Sequence, residues 1–374
     1  MITDLIPNTY EQSRQRFLNH FSEIQKRWPH LKKDKIMISE EEDLSIDWFT
    51  SNAVQTNQKV LIFSIAEHGI EGYIGSAMLE LLIRDYLPQI DPQTTGLLLI
   101  HTINPWGMKH HRRVNPDNID LNRTFLIDED FDPAFNPAYD ELLDLICVKT
   151  EIGHHAVNLF RFFPKLVLKA AAKGWKQVNH SLMLGQYRHP SGLFYGGTKT
   201  PAETATVKKL LTDVFEAYPR ILHMDMHTGY GPRYQMSIVN SVHEKRPSEQ
   251  CEREYNYPIV VAANPEEFYA IKGDLIDFVY ELRDRKYPDR ELYGLAFEFG
   301  TYGDNWVEKL RMPFAMHYEN ALWHHAETPQ KFADVVEYHF EELFNPREEK
   351  WKQKAMLDGN QAMQGILQFE GYIE

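Results

Sequence analysis

Cysteine is scarce in this chain: Cys147 and Cys251 are the only two among 374 residues, and they stand far apart. Two isolated cysteines provide neither a disulfide framework nor a cluster of thiolate metal ligands. The sequence therefore predicts a reduced, intracellular protein, and we expect a cytoplasmic location.

Long apolar runs and excess positive charge are also missing. No apolar run approaches the roughly 18 residues that a membrane span needs, and the segment MITDLIPNTYEQSRQRF lacks the features of a secretory signal. Lys and Arg number 40 against 54 Asp and Glu, giving a formal net charge of -14. We therefore expect neither nucleic acid nor a membrane as partner, and the oligomeric state stays open.

Alternating strand and helix patterns predict an α/β fold, with 43% hydrophobic residues available for the core. We expect one domain over residues 1–374, because no linker divides the chain. Its predicted parts are an N-terminal helix over 9–28, a helical insertion over about 124–180, C-terminal helices over about 312–344 and a looser tail. A glycine-rich and tyrosine-rich loop, LGQYRHPSGLFYGGTKTPAET, is long enough to be a lid or a binding loop.

Three side chains at predicted strand ends have the chemistry of a metal site. In IFSIAEHGIEG, His68 and Glu71 follow a short apolar run that is typical of a buried strand. In HMDMHTGYG, His227 is the last residue before a turn, and alternation puts His223 and Asp225 on the same strand face. Two imidazoles and one carboxylate bind a catalytic zinc and leave a fourth position for water. His223 lies deeper, where it would support a ligand rather than be one.

This interpretation has competitors within the sequence. A single HxxE pattern occurs often by chance, and the chain holds 17 histidines. The pairs His110-His111, His154-His155 and His324-His325 lie on predicted helix faces or in a basic run, without a carboxylate at a strand end. We interpret these pairs as structural or solvated.

The segment NPWGMKHHRRVNPDNIDLNRTF carries a concentration of planar donors. Its simplest interpretation is a basic surface loop, and its HHRR patch alone is typical of nucleic-acid binding, against which the surrounding acidity argues. Arg113, Asn122 and Arg123 offer donors that suit one carboxylate, while Asp120 can orient them. An anion pocket beside a metal implies a substrate that carries a free carboxylate.

Glu298 ends a predicted strand between apolar neighbours in GLAFEFGTYG. A buried carboxylate is costly unless it is paired, and desolvation raises its pKa toward the range of a general base. Structural ion pairs have the same signature, so position alone leaves both roles open.

Taken together, HGIE, NPWGMKHHRRVNPDNIDLNR, DMHTGYG and FEFGTYG resemble the metallocarboxypeptidase superfamily, which includes zinc carboxypeptidases, aspartoacylase and succinylglutamate desuccinylase. More narrowly, the ordered strings resemble the bacterial branch known as domain of unknown function 2817. The resemblance runs from about residue 60 to 303. It implies one catalytic domain with a mixed sheet of about eight strands between helices.

The resemblance also implies roles for individual residues. His68, Glu71 and His227 match the ligands of one zinc ion per chain, and Glu298 matches the glutamate that activates water. Asn122 and Arg123 match the pair that holds a substrate carboxylate. Arg113 or Arg112 matches the arginine that steadies the oxyanion, and Arg113 is favoured. No residue matches the mobile tyrosine of the pancreatic enzymes; three candidates for lining the cleft are Tyr195, Tyr230 and Tyr302.

The function implied is a zinc-dependent hydrolase that cleaves an amide bond next to a carboxylate. Its substrate is expected to be a peptide C-terminus or, as an alternative, a small N-acyl amino acid of the aspartoacylase and desuccinylase type. A second alternative is a module that binds carboxylates without catalysis, since a fold alone does not establish activity.

Overall fold

The computed structural model describes residues 2–146, 152, 154–262, 271–303, 306–324 and 328–374. One eight-stranded sheet forms its centre, in the order β1-β2-β4-β3-β5-β8-β6-β7. The strands are β1 (Lys32–Ser39), β2 (Leu44–Ser51), β3 (Lys59–Ile65), β4 (Thr95–His101), β5 (Arg220–Thr228), β6 (Met236–Asn240), β7 (Val260–Ala262) and β8 (Glu291–Phe299).

Helices cover both faces of this sheet. They are α1 (Tyr10–Asn19), α2 (Phe21–Arg27), α3 (Gly72–Leu81), α4 (Pro105–Lys109), α5 (Leu143–Ile146), α6 (His155–Lys173), α7 (Trp175–Met183), α8 (Ala202–Ala217), α9 (Ser248–Tyr255), α10 (Leu275–Lys286), α11 (Trp306–His324), α12 (Gln330–Phe344) and α13 (Glu349–Phe369). Short 3-10 turns include Gly69–Glu71, Leu121–Arg123 and Pro137–Leu142. Among the residues that the structure describes, no helix combines the length and the apolar character needed to cross a membrane.

The predicted mixed α/β sheet is confirmed. The central strands β4, β3, β5 and β8 run parallel, whereas β1, β2 and β6 introduce antiparallel pairs. Parallel central strands are buried on both faces, which explains their continuous apolar runs. The carboxyl ends of β3, β5 and β8 meet at one edge, with His227 opposite Glu298. The short strands β6 and β7 carry no clear alternation, so the sequence does not predict them.

Two apolar layers sandwich the sheet. One contains Phe63, Met224 and Phe297 together with residues of α1, α2, α3 and α13. The other contains Ile62 and Ile221 together with residues of α8 and α10. Because successive strand residues face opposite sides, one strand supplies both layers.

The prediction of one N-terminal helix over 9–28 is wrong in one respect: two helices, α1 and α2, occupy this segment. At the junction, the His20 N–H bonds to the carbonyls of Phe17 and Leu18, which tightens the last turn of α1. The His20 ring contacts the Glu80 carboxylate at 2.7 Å. These bonds anchor the break against α3.

The expectation of a looser tail is wrong. Residues 349–369 form the 21-residue helix α13, in which Trp351, Met356 and Met363 are buried. This helix packs on α3, α9 and β6. It approaches α9 closely because position 365 is glycine: a Cβ there would lie 1.8 Å from the Tyr255 carbonyl oxygen. Small residues on the packing face obscure the apolar period in the sequence.

The helical insertion predicted over 124–180 begins later than expected. Turns occupy the first part, and among the described residues helical structure starts at Pro137 and includes α5, α6 and α7, the last of which ends at Met183. Residues 147–151 and 153, which include Cys147, lie outside the described residues, as do 325–327 within the predicted C-terminal helices. The described part packs with α11 and α12 in one apolar cluster that contains Phe162, Phe314 and Phe340.

Candidate metal centre and catalytic site

The turn that follows β3 holds two of the predicted metal ligands in place. The N–H groups of Gly69 and Ile70 donate to the carbonyls of Arg113 and Arg112 at 3.2 and 2.9 Å. A side chain at position 69 cannot fit, because its Cβ would lie 2.1 Å from the carbonyl carbon of Gly107. The glycine of the HGIE string therefore lets the arginine-bearing loop dock against the ligands.

His68, Glu71 and His227 bring two ring nitrogens and one carboxylate together. The two Nδ1 atoms of the histidines are 3.3 Å apart. Glu71 places Oε1 3.0 Å from His68 Nδ1 and Oε2 3.3 Å from His227 Nδ1. Donors bound at about 2.0–2.1 Å to a tetrahedral zinc lie about 3.4 Å from one another. The cluster therefore has the dimensions of a metal site, and all three side chains are buried.

Each histidine has a carboxylate behind it. His68 Nε2 lies 3.1 Å from Asp120 Oδ1, and His227 Nε2 lies 2.7 Å from Asp225 Oδ2. A proton on Nε2 that is donated to a carboxylate leaves the Nδ1 lone pair for a metal. Asp120 also contacts Arg113 Nε at 3.3 Å, so it links the ligand to the arginine loop.

Asp225 belongs to a polar chain beneath the ligands. Its Oδ1 accepts a hydrogen bond of 2.6 Å from the Ser64 hydroxyl, which lies 2.8 Å from His223 Nε2. Burial lowers the pKa of His223 to about 4, so this ring is neutral near pH 7. His223 lies behind the ligands, as its position in the sequence predicts, whereas the sequence pattern alone assigns no role to Asp225. The same alternation, two residues before His227, is the signal that could have identified it.

Charge is concentrated in this cluster. Although burial raises the pKa of Glu71, the neighbouring His68 and His227 lower it below its ordinary value. Burial lowers the pKa of His227, but Asp225 and Glu71 raise it well above its ordinary value. Glu67 is also buried, 3.6 Å from His227 Nε2, and neither of its oxygens has a hydrogen-bond partner among the described residues. A cation bound by Nδ1 would offset this excess of carboxylates.

Glu298 stands opposite His227 on the adjacent strand. Its Oε1 accepts a 2.9 Å hydrogen bond from the N–H of Tyr230, and the half-buried side chain faces the same cavity as the ligands. Burial, followed by the charge of Glu71, raises the pKa of Glu298 to about 8. A carboxyl group in this state exchanges a proton near neutral pH.

The two neighbouring arginines point to different places. Arg113 Nη1 lies 3.0 Å from Glu71 Oε1, and its guanidinium lies between the rings of Phe194 and Phe344 at 5.7 and 5.8 Å. Arg112 instead pairs with Glu319 at 2.5 Å and stacks on Trp323. Arg113 lines the cavity beside the ligands, whereas Arg112 lines a separate, smaller one.

Asn122 and Arg123 reach the cavity, but protein groups occupy much of their hydrogen-bonding capacity. Asn122 donates to Asp274 Oδ2 at 3.1 Å and accepts from the Leu275 N–H at 3.0 Å. Arg123 donates to the carbonyls of Asn122 and Met183 at 2.7 and 2.8 Å. It is buried from solvent, and it contributes its charge to the cavity wall.

Of the three candidate tyrosines, Tyr230 lines the cavity. Tyr195 is buried in the apolar layer beneath α8 and α10, and its carbonyl accepts the Asp120 N–H. Tyr302 donates its hydroxyl proton to the His339 carbonyl. Neither Tyr195 nor Tyr302 is among the residues that line the cavity. Phe194, the neighbour of Tyr195 in the GLFYGG string, lines it instead.

The described histidines of the rival pairs are not part of this cluster. His110 contacts Glu42 at 2.8 Å, and His111 stacks on Tyr73. His154 caps α6, and His155 stacks on His339. His325 lies outside the described residues.

The cavity in front of the cluster encloses about 950 Å³, including its opening to solvent. Much of its wall is apolar. The apolar lining includes Met183, Phe194, Met312, Met316, Phe344, Val239, Leu275 and Ile276. A concave, mostly apolar space with a few converging polar groups is the usual form of a small-molecule site.

Comparison with solved structures finds similar chains at low sequence identity. Bovine thrombin-activatable fibrinolysis inhibitor, in complex with tick carboxypeptidase inhibitor, is 17% identical over 87% of this chain and 98% of that chain, with a TM-score of 0.46. Carboxypeptidase A from Helicoverpa armigera is 12% identical over 91% of this chain and 79% of that chain, with a TM-score of 0.47. A succinylglutamate desuccinylase from a Silicibacter species is 14% identical over 79% of this chain and 67% of that chain, with a TM-score of 0.37.

Comparison with curated proteins finds no match. The model of one family, described as protein of unknown function DUF2817, matches residues 7–358. The match includes every residue of the metal cluster, Glu298 and the arginine loop. The chain therefore belongs to the DUF2817 family.

Proposed function

We propose that this protein is a metal-dependent hydrolase that cleaves an amide bond next to a carboxylate, with one zinc ion per chain. One observation carries the proposal: the two Nδ1 atoms of His68 and His227 and the carboxylate of Glu71 lie 3.0–3.3 Å apart, beside a cavity. Imidazole and carboxylate donors suit zinc, and three of them leave a position open. The carboxylates behind both histidines support the same assignment.

When bound, zinc supplies two effects: it lowers the pKa of water toward about 7 and it polarises a carbonyl. Glu298 then acts as general base. Its carboxylate takes a proton from water as the water oxygen adds to the carbonyl carbon. The carbon–nitrogen bond breaks, and Glu298 returns the proton to the leaving nitrogen.

Arg113 is suited to stabilise the negative charge that develops on the carbonyl oxygen. Its contacts with Glu71 and Asp120 fix the guanidinium at the cavity wall, and two phenylalanine rings shield it from water. A fixed donor in a dry site stabilises an oxyanion more than a mobile one does. Asn122 and the charge of Arg123 are suited to hold the substrate carboxylate, since one amide hydrogen of Asn122 is not required by Asp274.

The enclosure of the cavity favours short substrates. Phe194 comes from the glycine-rich and tyrosine-rich loop, Met183 from the end of α7 and Phe344 from the end of α12. The rings of Phe194 and Phe344 lie 5.7 and 5.8 Å from the Arg113 guanidinium and narrow the cavity there. We therefore favour an N-acyl amino acid or a blocked dipeptide over the C-terminus of a long peptide.

Elemental analysis and an activity panel test the proposal. Purified protein is expected to bind about one zinc ion per chain and to release free amino acid from N-acyl amino acids faster than from long blocked peptides. Glu298→Gln should retain zinc and lose about 10²- to 10⁴-fold in kcat, as removal of a general base does. Glu249→Gln, an exposed position on α9, is the matched control and should keep full activity.

Two results contradict parts of this proposal. An unchanged rate in Glu298→Gln excludes Glu298 as the base. Zinc-loaded protein that binds the panel but hydrolyses none of it is a carboxylate-binding module instead.

A further inference from the structure

The catalytic cavity continues past Glu298 as a recess along the sheet. Ala296 lies two residues earlier on the same face of β8, about 7 Å farther from the strand end. Val239 of β6 is its partner in the register, and Asn240 and Ser241 come next along that chain. All of these residues line the cavity together with the first turn of α10.

The recess has apolar sides and a polar end. Val239, Ala296 and Ile276 form the sides. At the end, the Ser241 hydroxyl donates a 2.5 Å hydrogen bond to Asp277 Oδ1. A side chain entering from Glu298 would therefore pass apolar groups and then meet a carboxylate.

Asp277 has no countercharge among the described residues: no Lys, Arg or His lies within ion-pair distance of it. The nearest cation in sequence, Lys272, is engaged with Asp130 at 3.3 Å and lies over Phe135. Residues 263–270, outside the described part, have the sequence ANPEEFYA and carry no basic residue.

The other carboxylate at this end is already engaged. Asp274 caps α10 by accepting the Asp277 N–H at 2.9 Å, and it also accepts from Asn122. Burial and the charge of Asp274 raise the pKa of Asp277 to about 7. Burial and the neighbouring charge of Asp274 therefore both destabilise the ionised form of Asp277. A cation bound beside Asp277 would offset both effects.

We propose that this recess recognises a cationic side chain, ammonium or guanidinium, of the substrate residue that carries the carboxylate. The inference rests on the proposed function and narrows it to amides of basic amino acids. Such a substrate places its carboxylate near Asn122 and Arg123 and its cation at Asp277 and Ser241. A guanidinium has donors for both groups, in a planar arrangement that suits a carboxylate.

Arginine and citrulline make a matched pair of probes, because they have nearly the same shape and differ in charge. Calorimetric titration of the zinc-loaded wild-type protein is expected to show at least tenfold tighter binding of arginine. Hydrolysis of N-acetylarginine should exceed that of N-acetylcitrulline by a similar factor in kcat/KM. Equal affinities for the two amino acids overturn the inference, whatever the hydrolysis rates.

Two variants test whether Asp277 causes the preference for arginine. Asp277→Asn should reduce the arginine-to-citrulline ratio to near one, whereas Asp284→Asn, an exposed carboxylate on the same helix, should leave it intact. A ratio that survives Asp277→Asn overturns the assignment to Asp277. The wild-type ratio decides the proposal even where a variant is unstable.

The outcomes separate this inference from the proposed function. A binding preference without hydrolysis of any amide leaves the recess assigned and removes the hydrolase. Equal affinities for arginine and citrulline, together with hydrolysis of their acetyl derivatives, remove the recess assignment and leave the hydrolase.

Discussion

Two buried histidines near strand ends, on either side of β3, differ in almost everything except burial. His101 at the end of β4 is 0% exposed and His227 near the end of β5 is 8% exposed. His101 contacts the hydroxyls of Ser13 and Thr102 at 2.7 and 3.2 Å and stacks on Phe17. His227 contacts the carboxylates of Asp225 and Glu71.

The neighbours of each ring decide its charge. Burial, together with the charges of Arg14 and Arg16, lowers the pKa of His101 to about 3. Around His227 the carboxylates reverse the effect of burial, and its pKa is raised well above the ordinary value. His101 is a neutral core residue that ties α1 to the sheet, whereas His227 sits where a cation is favoured. Burial alone therefore does not distinguish a structural histidine from a candidate ligand.

Replacing each of the two histidines in turn tests this contrast, and these variants have the largest expected effect. His227→Ala removes one of three donors, so zinc content after dialysis should fall from about one per chain to near zero. His101→Phe keeps a ring against Phe17 and should retain full zinc content. Elemental analysis of both variants measures the difference, and normal zinc in His227→Ala would refute the ligand assignment.

The carboxylates behind the ligands should have the next largest effect. Asp225→Asn and Asp120→Asn leave all three donors in place but disturb the orientation of the rings. Each is expected to weaken zinc binding about 10- to 100-fold. Ser13→Ala, at the hydroxyl that contacts His101, is the control and should leave affinity unchanged. Competition with a chromophoric chelator gives these constants; equal affinities throughout would remove Asp225 and Asp120 from the site.

The neutral state of His101 should make the folding stability depend on pH. Its folded pKa of about 3 lies below the ordinary 6.5, so below pH 6.5 the unfolded chain takes up a proton that the folded one does not. Stability therefore falls as the pH drops from 6.5 toward 3, and at pH 5 this group accounts for about 2 kcal/mol. The His101→Phe variant should not show this loss of stability at low pH. Denaturant unfolding of metal-free wild type and variant measures this effect. The free energy of unfolding of the variant, relative to that of the wild type, should be higher at pH 5 than at pH 8.

The smallest effect concerns Asp277. Its folded pKa of about 7 exceeds the ordinary 3.8, so between these values the folded chain holds a proton that the unfolded chain has lost. Stability therefore falls as the pH rises from 3.8 to 7 and stays lowered above. Asp277→Asn should raise Tm at pH 8 by roughly 1–3 °C, with no gain near pH 4. Asp284→Asn should show no such pH-dependent gain in thermal scans.

Much of the centre could be predicted from the sequence because strand ends are strong signals. His68, Glu71, His227 and Glu298 each follow or end an apolar run, and parallel strands bring their carboxyl ends together. The choice between Arg112 and Arg113 could not be made from their position, since adjacent residues in an irregular loop have no fixed direction. The structure separates them by the partners of their guanidinium groups.

Other features depend on contacts distant in sequence. The two oxygens of Asp225 meet Ser64 and His227 only after β3 and β5 pair. The recess at Asp277 exists because β6, a strand of five residues, aligns with β8. The sequence does not predict helix α13, because the residues that pack on α3 and α9 include glycines, which weaken the periodic pattern.

The position of α13 also constrains how the protein is made. This helix covers β6 and the outer side of α3, yet its residues are synthesised after all eight strands have left the ribosome. Until then an apolar surface that includes Met78 and Phe299 has no cover. A nascent chain at that stage is a natural client for chaperones, and premature termination before residue 349 would give an aggregation-prone product rather than a smaller folded protein.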